Sequence, residues 1–291
     1  MKKNTIVITG GAGFVGSNLI VLLLKKTKFK IISIDNYSSG SFKNHIKNPR
    51  VKYIKGDTKD IVKLIKKPNT LNSIFHFGEF ARIYQSFVKM NDCIDSNSIG
   101  SNAIFNYCLK HDIKLIYSAT SATLGDNGND KNLSPYAFTK AKNLELLENL
   151  KKWFNFKFEV IYFYNVYGPN QICKGSMATV IGIFENCFKS NKALTIVKPG
   201  SQSRRFTHIH DTVEICYLAW KKNKCRHYSI SNHKSYTILQ VAKMFGSKIK
   251  YLNERPGERY ASALTNLNLK NKVFKYFGKI KLTDYIKNII K

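Results

Sequence analysis

The sequence predicts an α/β fold in which helices cover both faces of a parallel sheet. Strand-like and helix-like segments alternate with short connections through residue 162, and this order produces right-handed crossovers and a parallel sheet. The apolar run at 5–9 leads through a glycine-rich turn into the start of an amphipathic helix, as a buried strand does in such folds. A chain of 291 residues suits one large α/β unit or two unequal lobes.

The predicted elements follow from local pattern in chain order. Apolar, β-branched runs predict strands at 5–9, 30–34, 51–55, 73–77, 113–118 and 158–163. Helical patterns predict helices near 16–27, 59–66, 96–111 and 136–152, and shorter ones near 178–189, 211–221, 235–245 and 266–276. We therefore predict a Rossmann-type doubly wound parallel sheet in residues 1–167, to which 206–230 return, and a smaller α/β C-terminal substrate lobe in 168–291.

The turn after the first strand has the sequence TGGAGFVG over 9–16. Gly10 permits a tight turn, Gly13 lets the backbone approach a diphosphate, and Gly16 lets helix and strand pack closely. The free N–H groups and the positive end of the helix that follows favour phosphates. The spacing predicts a dinucleotide site, with a plain structural turn as the alternative.

Asp35 ends the second predicted strand, 19 residues after Gly16. A dinucleotide-binding fold places a carboxylate there for the adenosine ribose diol. The carboxylate repels a 2′-phosphate, and residues 36–40 contain no Arg to receive one. NAD is therefore favoured over NADP, although Lys43 lies close enough in sequence to limit the preference.

The formal net charge of +30 has two interpretations. One is binding to nucleic acid or to an anionic membrane. The other is a compositional bias whose lysines face solvent. The second is favoured, because the lysines occur in scattered pairs and no nucleic-acid-binding module is visible. We expect neither a nucleic acid nor a membrane partner, and we expect the positive potential to attract a doubly charged nucleotide.

The remaining composition favours a cytoplasmic protein. No apolar run approaches the roughly 20 residues of a membrane helix, and nothing resembles a signal peptide. The six cysteines are scattered, without a CxxC pair or clustered histidines, which indicates reduced thiols and no metal site.

Tyr136 and Lys140 form the second chemical motif. Pro135 fits the first turn of a helix, and a four-residue separation places both side chains on one face, about 6 Å apart. A nearby ammonium lowers the pKa of a tyrosine and makes it usable as an acid and base. The same lysine is able to hold the nicotinamide ribose. The alternative is a surface lysine beside a packed tyrosine, but the position after the fifth strand favours the catalytic interpretation.

The fifth strand ends in the hydroxyl-rich segment 117–123. The carboxyl ends of parallel strands line the ligand crevice of an open α/β sheet. A hydroxyl there is able to bind a substrate oxygen beside Tyr136. Its alternative role is to satisfy the backbone at the start of the loop.

These motifs together resemble a known family. The segment TGGAGFVGSN at 9–18, the Gly56-Asp57 pair, the YxxxK helix and YNVYGP at 164–169 resemble the extended short-chain dehydrogenase/reductases, and more narrowly the NAD-dependent nucleotide-sugar epimerases and dehydratases. The resemblance covers nearly the whole chain. It implies NAD as cofactor, a nucleotide-diphosphate sugar as substrate, and a catalytic set of Thr120, Tyr136 and Lys140. Thr120 is chosen because it lies five residues before Gly125.

The resemblance also implies the residues that contact the two ligands. The NAD contacts would be Gly10, Gly13, Phe14, Val15, Gly16, Asp35, Asn36, Asp57, Thr58, Phe77, Gly78, Tyr136, Lys140 and Val166. The substrate contacts would be Asn165, Lys174, Ser176, Arg204, Arg255 and Tyr260. Arg204 begins a segment similar to R-D-F-x-x-V-x-D, in which it would meet the diphosphate, and Arg205 replaces the usual Asp. An arginine fork suits a diphosphate, while a solvated charge is the alternative.

The expected reaction is oxidation of a sugar hydroxyl, with C4 the expected position, in a nucleotide-activated hexose or heptose. Similar dehydratases carry Asp-Glu directly after the catalytic threonine, whereas this chain has Ser121-Ala122, which disfavours elimination of water. The ketosugar would then be returned on its other face by an epimerase, or released by a dehydrogenase. Such sugars feed surface polysaccharide.

Three alternatives stay open. Lys174-Gly175-Ser176 resembles ADP-glycero-manno-heptose 6-epimerases, in which a lysine is a second acid/base, and Arg259-Tyr260 with Thr265 points the same way. The loop at 77–82 and Asp35 depart from that branch, so Lys174 has either a proton-transfer role or a diphosphate or sugar contact. The second alternative is a 4,6-dehydratase. The third is a non-catalytic NAD-binding regulator, against which the intact YxxxK motif counts.

The family resemblance implies a homodimer or homotetramer, formed through the helices near 96–111 and 136–152. Four apolar residues on these helices would face either that contact or the core of the protein itself: Ile99, Ile104, Leu144 and Leu147.

Overall fold

The computed structural model describes residues 3–124, 130–257 and 273–291. Its strands are β1 Thr5–Thr9, β2 Lys30–Asp35, β3 Val51–Lys55, β4 Leu71–His76, β5 Lys114–Thr120, β6 Phe158–Phe163, β7 Val166–Tyr167, β8 Leu194–Val197, β9 Ser203–Arg205, β10 Thr207–His208, β11 His227–Ser231, β12 Ser235–Thr237, β13 Ile249–Leu252 and β14 Val273–Phe277.

The α-helices are α1 Phe14–Lys26, α2 Ile61–Leu64, α3 Ile83–Val88, α4 Met90–Ile94, α5 Ser101–Lys110, α6 Pro135–Phe154, α7 Val180–Lys189, α8 Ile209–Lys222, α9 Ile238–Met244 and α10 Leu282–Ile290. A π-helix, Asp95–Gly100, joins α4 to α5. Short 3₁₀ turns occur at Phe42–Asn44, Thr58–Asp60, Pro68–Thr70 and Ser121–Thr123.

Eight parallel strands form the central sheet in the order β14-β11-β6-β5-β4-β1-β2-β3. The predicted Rossmann-type parallel sheet is confirmed. Its order reverses between β1 and β4, which is where an open α/β sheet forms its ligand crevice. Three two-stranded sheets are built from strands after residue 165, namely β7 with β10, β8 with β13 and β9 with β12. The division into domains at 167/168 stays a prediction, and both β11 and β14 lie in the central sheet.

The predicted helix near 266–276 is wrong over its last residues, because Val273–Phe277 forms β14 beside β11. Its sequence VFKYF is rich in aromatic and β-branched side chains, which pack well on a pleated surface. The rest of the predicted helix lies outside the described residues. The start of the helix predicted at 235–245 is also strand, since β12 precedes α9.

Each face of the sheet has its own apolar core. Ile104 of α5 and Leu147 of α6 pack on one face, and Leu19 of α1 and Val213 of α8 pack on the other. A third cluster, including Phe184 of α7, forms the core of the C-terminal part. Together these cores fix the helices that frame the ends of the strands.

The apolar residues considered for a subunit contact divide between core and surface. Ile104 and Leu147 are fully buried and Leu144 packs against the same core, whereas Ile99 is 54% exposed. Burial inside one chain therefore accounts for Ile104 and Leu147.

None of the helices within the described ranges is long and apolar enough to cross a membrane. Over the same ranges, His, Cys, Asp and Glu side chains form no group of three able to hold a metal ion.

Candidate active site

A cavity of about 520 Å³ opens where β1, β2, β4, β5 and β6 end. Residues of α7, β8 and the segment before β9 close its other side. The carboxyl ends of parallel strands are the usual ligand-binding edge of such a sheet. The cavity therefore lies where the sequence predicts both ligands.

Most of the predicted site residues line this cavity. They are Gly10, Gly13, Phe14, Val15, Gly16, Asp35, Asn36, Thr58, Phe77, Gly78, Thr120, Tyr136, Lys140, Asn165, Val166, Arg204 and Arg255. Asp57 lies directly beside this wall, where its Oδ2 accepts a hydrogen bond from Asn36 Nδ2 at 3.0 Å. Their roles toward NAD and sugar stay predictions.

Two of the other predicted positions are described and are not brought to the wall. Lys174 and Ser176 are exposed and lie outside the lining, although Met177 and Ala178 of the same segment belong to it. Tyr260 falls outside the described residues, as do Gly125, Glu258, Arg259 and Thr265.

The glycine turn has the geometry that a diphosphate needs. Gly10 has φ +68°, and a Cβ there would meet the carbonyl carbon of Phe77 at 2.8 Å, so only glycine fits without strain. Gly13 precedes α1 without a side-chain cap. Backbone N–H groups of the first turn at the cavity wall are thus available for phosphate oxygens.

Asp35 links this turn to β2. Its carboxylate accepts backbone N–H groups from Ala12 at 2.9 Å and Tyr37 at 2.8 Å. Burial raises the pKa of Asp35, and the backbone hydrogen bonds oppose that shift. The open amides of α1, the left-handed Gly10 and a carboxylate at the end of β2 together fit the phosphates and adenosine ribose of NAD.

Helix α6 presents Tyr136 and Lys140 on one side. Ser134 caps its first turn by accepting a hydrogen bond from Ala137 N at 3.1 Å, and Pro135 occupies the first position, where its missing N–H costs nothing. Tyr136 and Lys140 are both buried and both line the cavity. The helix thus holds a phenol and an ammonium at the same wall.

Thr120 is the last residue of β5 and caps the short turn that follows. Its Oγ1 accepts a hydrogen bond from Ala122 N at 3.1 Å, so its hydroxyl hydrogen is available for a further acceptor. Ser121 and Ala122 line the same wall, and neither carries a carboxylate.

The surroundings of Lys140 include Glu79, a residue without a sequence-predicted role. Lys140 Nζ donates hydrogen bonds to Glu79 Oε2 and, at 2.5 Å, to the carbonyl oxygen of Ser118. It also lies 4.7 Å from the centre of the Tyr117 ring, a distance typical of a cation–π contact. Burial lowers the pKa of Lys140, and the charge of Glu79 opposes that shift.

Glu79 lies three residues after β4, and its carboxylate oxygens accept every hydrogen bond described for its side chain. Besides Lys140, its Oε1 receives the hydroxyls of Ser101 at 2.8 Å and Tyr117 at 3.0 Å, and the amide of Asn143 at 3.2 Å. Four donors cannot converge on a neutral acid as well as on a carboxylate, because an acid must itself donate. Charge-assisted hydrogen bonds of this kind are also the stronger ones.

A directed chain of hydrogen bonds extends from Ser101 into the core. Thr9 Oγ1 accepts the N–H groups of Phe77 and Gly78, each at 3.1 Å, so its own hydrogen goes to His76 Nδ1 at 2.7 Å. His76 Nε2 is then the donor to Ser101 Oγ at 2.9 Å. Burial lowers the pKa of His76 to about 4, which keeps the ring neutral in this role.

The π-helix supports the loop that carries Glu79. Its Asn97 accepts the N–H of Phe80 at 2.6 Å and donates to the carbonyl of Phe80 at 3.1 Å. A side-chain amide that pairs with both backbone groups of one residue fixes the loop at that point. π-Helices are often found at functional sites.

Arg82 is a second residue without a sequence-predicted role. It lines the cavity, and its guanidinium donates to the carbonyl oxygens of Met177 at 2.9 Å and Ala81 at 2.6 Å. Burial lowers the pKa of Arg82, while the nearby Tyr136 phenol opposes that shift. Arg82 therefore adds a second cation to the cavity wall that contains Tyr136 and Lys140.

The arginines of the C-terminal part have separate environments. Arg204 lies on the cavity wall and is 9% exposed. Arg205 turns to the loop after β11, where it donates to the carbonyls of Asn232 and, at a shorter distance, His233. These backbone carbonyls take the place of the ion pair expected for an Asp at this position. Arg255 lies 5.0 Å from the centre of the Tyr84 ring.

Glu79 and Arg82 were visible in the sequence as charged residues just after a predicted strand. The rule that strand ends line the crevice, which selected Thr120, applies equally to the end of β4. The signal was therefore present, but the contact with Lys140 joins residues 61 positions apart and no local pattern shows it.

The chain is similar to known proteins over most of its length. The model of the NAD dependent epimerase/dehydratase family matches residues 6–232. A putative UDP-glucose 4-epimerase of Methanocaldococcus jannaschii is 27% identical over 272 residues, covering 88% of each chain. The dTDP-D-glucose 4,6-dehydratase of Bos taurus is 30% identical over 267 residues, which are 85% of this chain and 74% of that protein.

A solved structure extends the similarity to three dimensions. The UDP-N-acetylglucosamine 4-epimerase of Methanobrevibacter ruminantium, in complex with UDP-N-acetylmuramic acid, superposes with a TM-score of 0.81 at 26% identity over 100% of this chain and 97% of that one. The family match covers most of the chain and includes the glycine turn and the YxxxK helix. The protein therefore belongs to the NAD-dependent epimerase/dehydratase family, as an enzyme of the extended short-chain dehydrogenase/reductase type that acts with NAD.

Proposed function

We propose that this enzyme is a 4-epimerase of a nucleoside diphosphate hexose. The observation that carries the proposal is the cavity wall after Thr120, where Ser121-Ala122 offer no acid for elimination. Among the described lining residues only Asp35 and Glu79 carry carboxylates. Asp35 is bound to backbone amides and Glu79 to Lys140, so neither is free to remove a hydroxyl.

The binding residues follow from the fit of the site to NAD. The first turn of α1 binds the diphosphate, Asp35 binds the adenosine ribose, and Lys140 holds the nicotinamide ribose. When bound, NAD supplies the acceptance and return of hydride at the sugar carbon. Arg204 pairs with the substrate diphosphate as a bidentate donor.

The proton is handled by α6 and β5. Tyr136 Oη takes the proton from the sugar hydroxyl and later returns one to the ketone oxygen. Thr120 Oγ1 donates to the same oxygen and fixes its direction. The ammonium of Lys140 and the guanidinium of Arg82 both favour the phenolate form of Tyr136.

The rival reactions have weaker support. A heptose 6-epimerase with Lys174 as second acid/base fits poorly, because Lys174 is exposed and outside the wall. A 4,6-dehydratase is the second candidate, since the Bos taurus relative carries that name. A cytoplasmic location, a role in surface polysaccharide and a homodimer or homotetramer complete the proposal as expectations.

The test is incubation of the purified protein with NAD and a panel of UDP- and dTDP-hexoses, followed by proton NMR of the sugar. We expect inversion at C4 and a fall of about 10³-fold in Tyr136→Phe. Tyr251→Phe, an exposed tyrosine on β13, is the matched control and should keep full turnover. A 4-keto-6-deoxy product would identify a dehydratase, net reduction of NAD a dehydrogenase, and no hydride exchange at all a non-catalytic regulator.

A further inference from the structure

The buried carboxylate of Glu79 forms an ion pair with Lys140, the lysine that the proposed reaction uses. We propose that Glu79 is a positioning residue that keeps Lys140 protonated and fixed in place beside Tyr136. The inference rests on the proposed acid–base role of Tyr136. It adds a fourth member to the set of Thr120, Tyr136 and Lys140.

Burial makes such a partner necessary. The side chains of Lys140 and Glu79 are only 4% and 2% exposed. An ammonium removed from water without a counter-charge loses its proton instead. A neutral Lys140 would no longer stabilise a phenolate at Tyr136, so its charge must come with a partner.

Glu79 is the only anion that the described surroundings supply. The titratable groups around the pair are His76 at the end of β4, Cys93 on α4, Tyr117 on β5 and Tyr136 on α6. Burial lowers the pKa of His76 to about 4 and raises the pKa values of Cys93 and Tyr117. His76, Cys93 and Tyr117 are therefore neutral at physiological pH, and Arg82, which lines the same cavity as Tyr136, is cationic.

The same contacts fix the position of Lys140. Two of its three hydrogens point to Glu79 and to the carbonyl of Ser118, while the contact with Ser118 Oγ is long at 3.4 Å. One hydrogen therefore stays available for the ribose of the cofactor. Asn97 and the Thr9–His76–Ser101 chain hold Glu79 itself.

The test compares Glu79→Gln with Glu159→Gln. Glu159 belongs to a second buried pair, with Lys114 at 3.0 Å, at the amino end of the sheet. Both substitutions remove the negative partner of a buried lysine and leave the shape nearly unchanged. Any effect of breaking a buried ion pair as such is therefore common to both variants.

The first measurement is the pH dependence of unfolding of the protein without substrate. In Glu79→Gln the pKa of Lys140 falls in the folded protein and is ordinary in the unfolded chain, so unfolding takes up about one additional proton. The free energy of unfolding then rises with pH between those two pKa values. If unfolding of Glu79→Gln takes up no additional proton, Lys140 does not depend on Glu79 for its charge.

The second measurement is the pH profile of turnover. We expect the turnover of Glu79→Gln relative to wild type to fall about tenfold or more between pH 6 and pH 9, because Lys140 loses its proton. Glu79→Asp, which keeps the charge, should keep the wild-type profile at a lower kcat. A uniform loss at every pH, or an unshifted profile in Glu79→Gln, would overturn the proposal. If wild type turns over no sugar, the proposed function fails, while the unfolding measurement still decides the state of Lys140.

Discussion

Two buried lysine–glutamate pairs lie at opposite ends of the central sheet. Lys114 begins β5 and pairs with Glu159 near the start of β6, whereas Lys140 and Glu79 meet where β4 and β5 end. The charges and the burial are alike, since Glu159 is fully buried and Lys114 is 12% exposed. Their remaining partners differ.

The amino-end pair is completed by backbone. Glu159 accepts the N–H groups of Cys225 at 3.0 Å and Arg226 at 2.7 Å, and Lys114 donates to the carbonyl of Trp220 at 3.2 Å. It thereby ties two strands to the turn between α8 and β11. At the carboxyl end, Glu79 is completed instead by side chains, those of Ser101, Tyr117 and Asn143, while Lys140 also donates to the backbone carbonyl of Ser118. The same two residue types thus tie backbone segments together at the amino edge and lie at the predicted ligand-binding edge at the other, since the carboxyl ends of parallel strands usually form the ligand crevice.

The largest expected effect comes from removing the lysine at the carboxyl edge. Lys140→Met leaves Glu79 buried without its counter-charge, which should cost about 3–5 kcal/mol in the free energy of unfolding. It should also lower turnover by about 10³-fold, because Tyr136 loses the ammonium that stabilises its phenolate. Urea unfolding and the NMR assay measure the two effects separately.

Lys114→Met is the matched substitution at the other edge. It should destabilise the protein by up to about 3–5 kcal/mol, and less where the turn amides still stabilise Glu159. Turnover by the folded fraction should stay within about twofold of wild type. If Lys114→Met lost most of its turnover while it stayed folded, the claim that only the carboxyl-edge pair serves the reaction would be wrong.

The comparison also shows which parts of the site can be predicted from the sequence. The glycine turn and the pair Tyr136/Lys140 are local patterns, in which spacing along the chain fixes spacing in the fold. The contact of Glu79 with Lys140, in contrast, exists only because the sheet order places β4 next to β5. No periodicity in the sequence predicts that these two strands are neighbours.

The error at the end of the helix predicted at 266–276 comes from tertiary structure. β14 is a strand because it adds to the edge of the sheet beside β11, and tertiary pairing of this kind overrides a local helical pattern. The helix predicted near 96–111 is present, but its first turns form a π-helix, and the contact of Asn97 with the Glu79 loop could not be read from local pattern. Segment type was therefore predictable in most places, while the contacts that build the site were not.

Asp35 offers an intermediate case, since it lies at the carboxyl edge but is held by backbone amides as Glu159 is. Asp35→Asn should weaken NAD binding by about tenfold, because the carboxylate accepts from the ribose diol. Burial raises the pKa of Asp35, so the wild-type affinity should fall as the pH drops through that raised value, above the ordinary range of an aspartate. Calorimetric titration with NAD at a series of acidic pH values measures both effects. Equal affinity of wild type and variant at neutral pH would show that the residue serves only the turn.

The smallest expected effect separates the charge of Glu79 from its hydrogen bonds. Ser101→Ala removes one donor to Glu79 and leaves His76 Nε2 without its acceptor, at a cost of about 1–3 kcal/mol in the free energy of unfolding. Because Lys140 keeps its counter-charge, the pH profile of turnover should not move and kcat should change by about twofold at most. Thermal unfolding and the pH profile are measured side by side with Glu79→Gln. A shifted profile in Ser101→Ala would mean that the whole network, rather than the carboxylate alone, sets the protonation of Lys140. The amino-edge pair has no hydroxyl among its described partners, so this distinction arises only at the cavity.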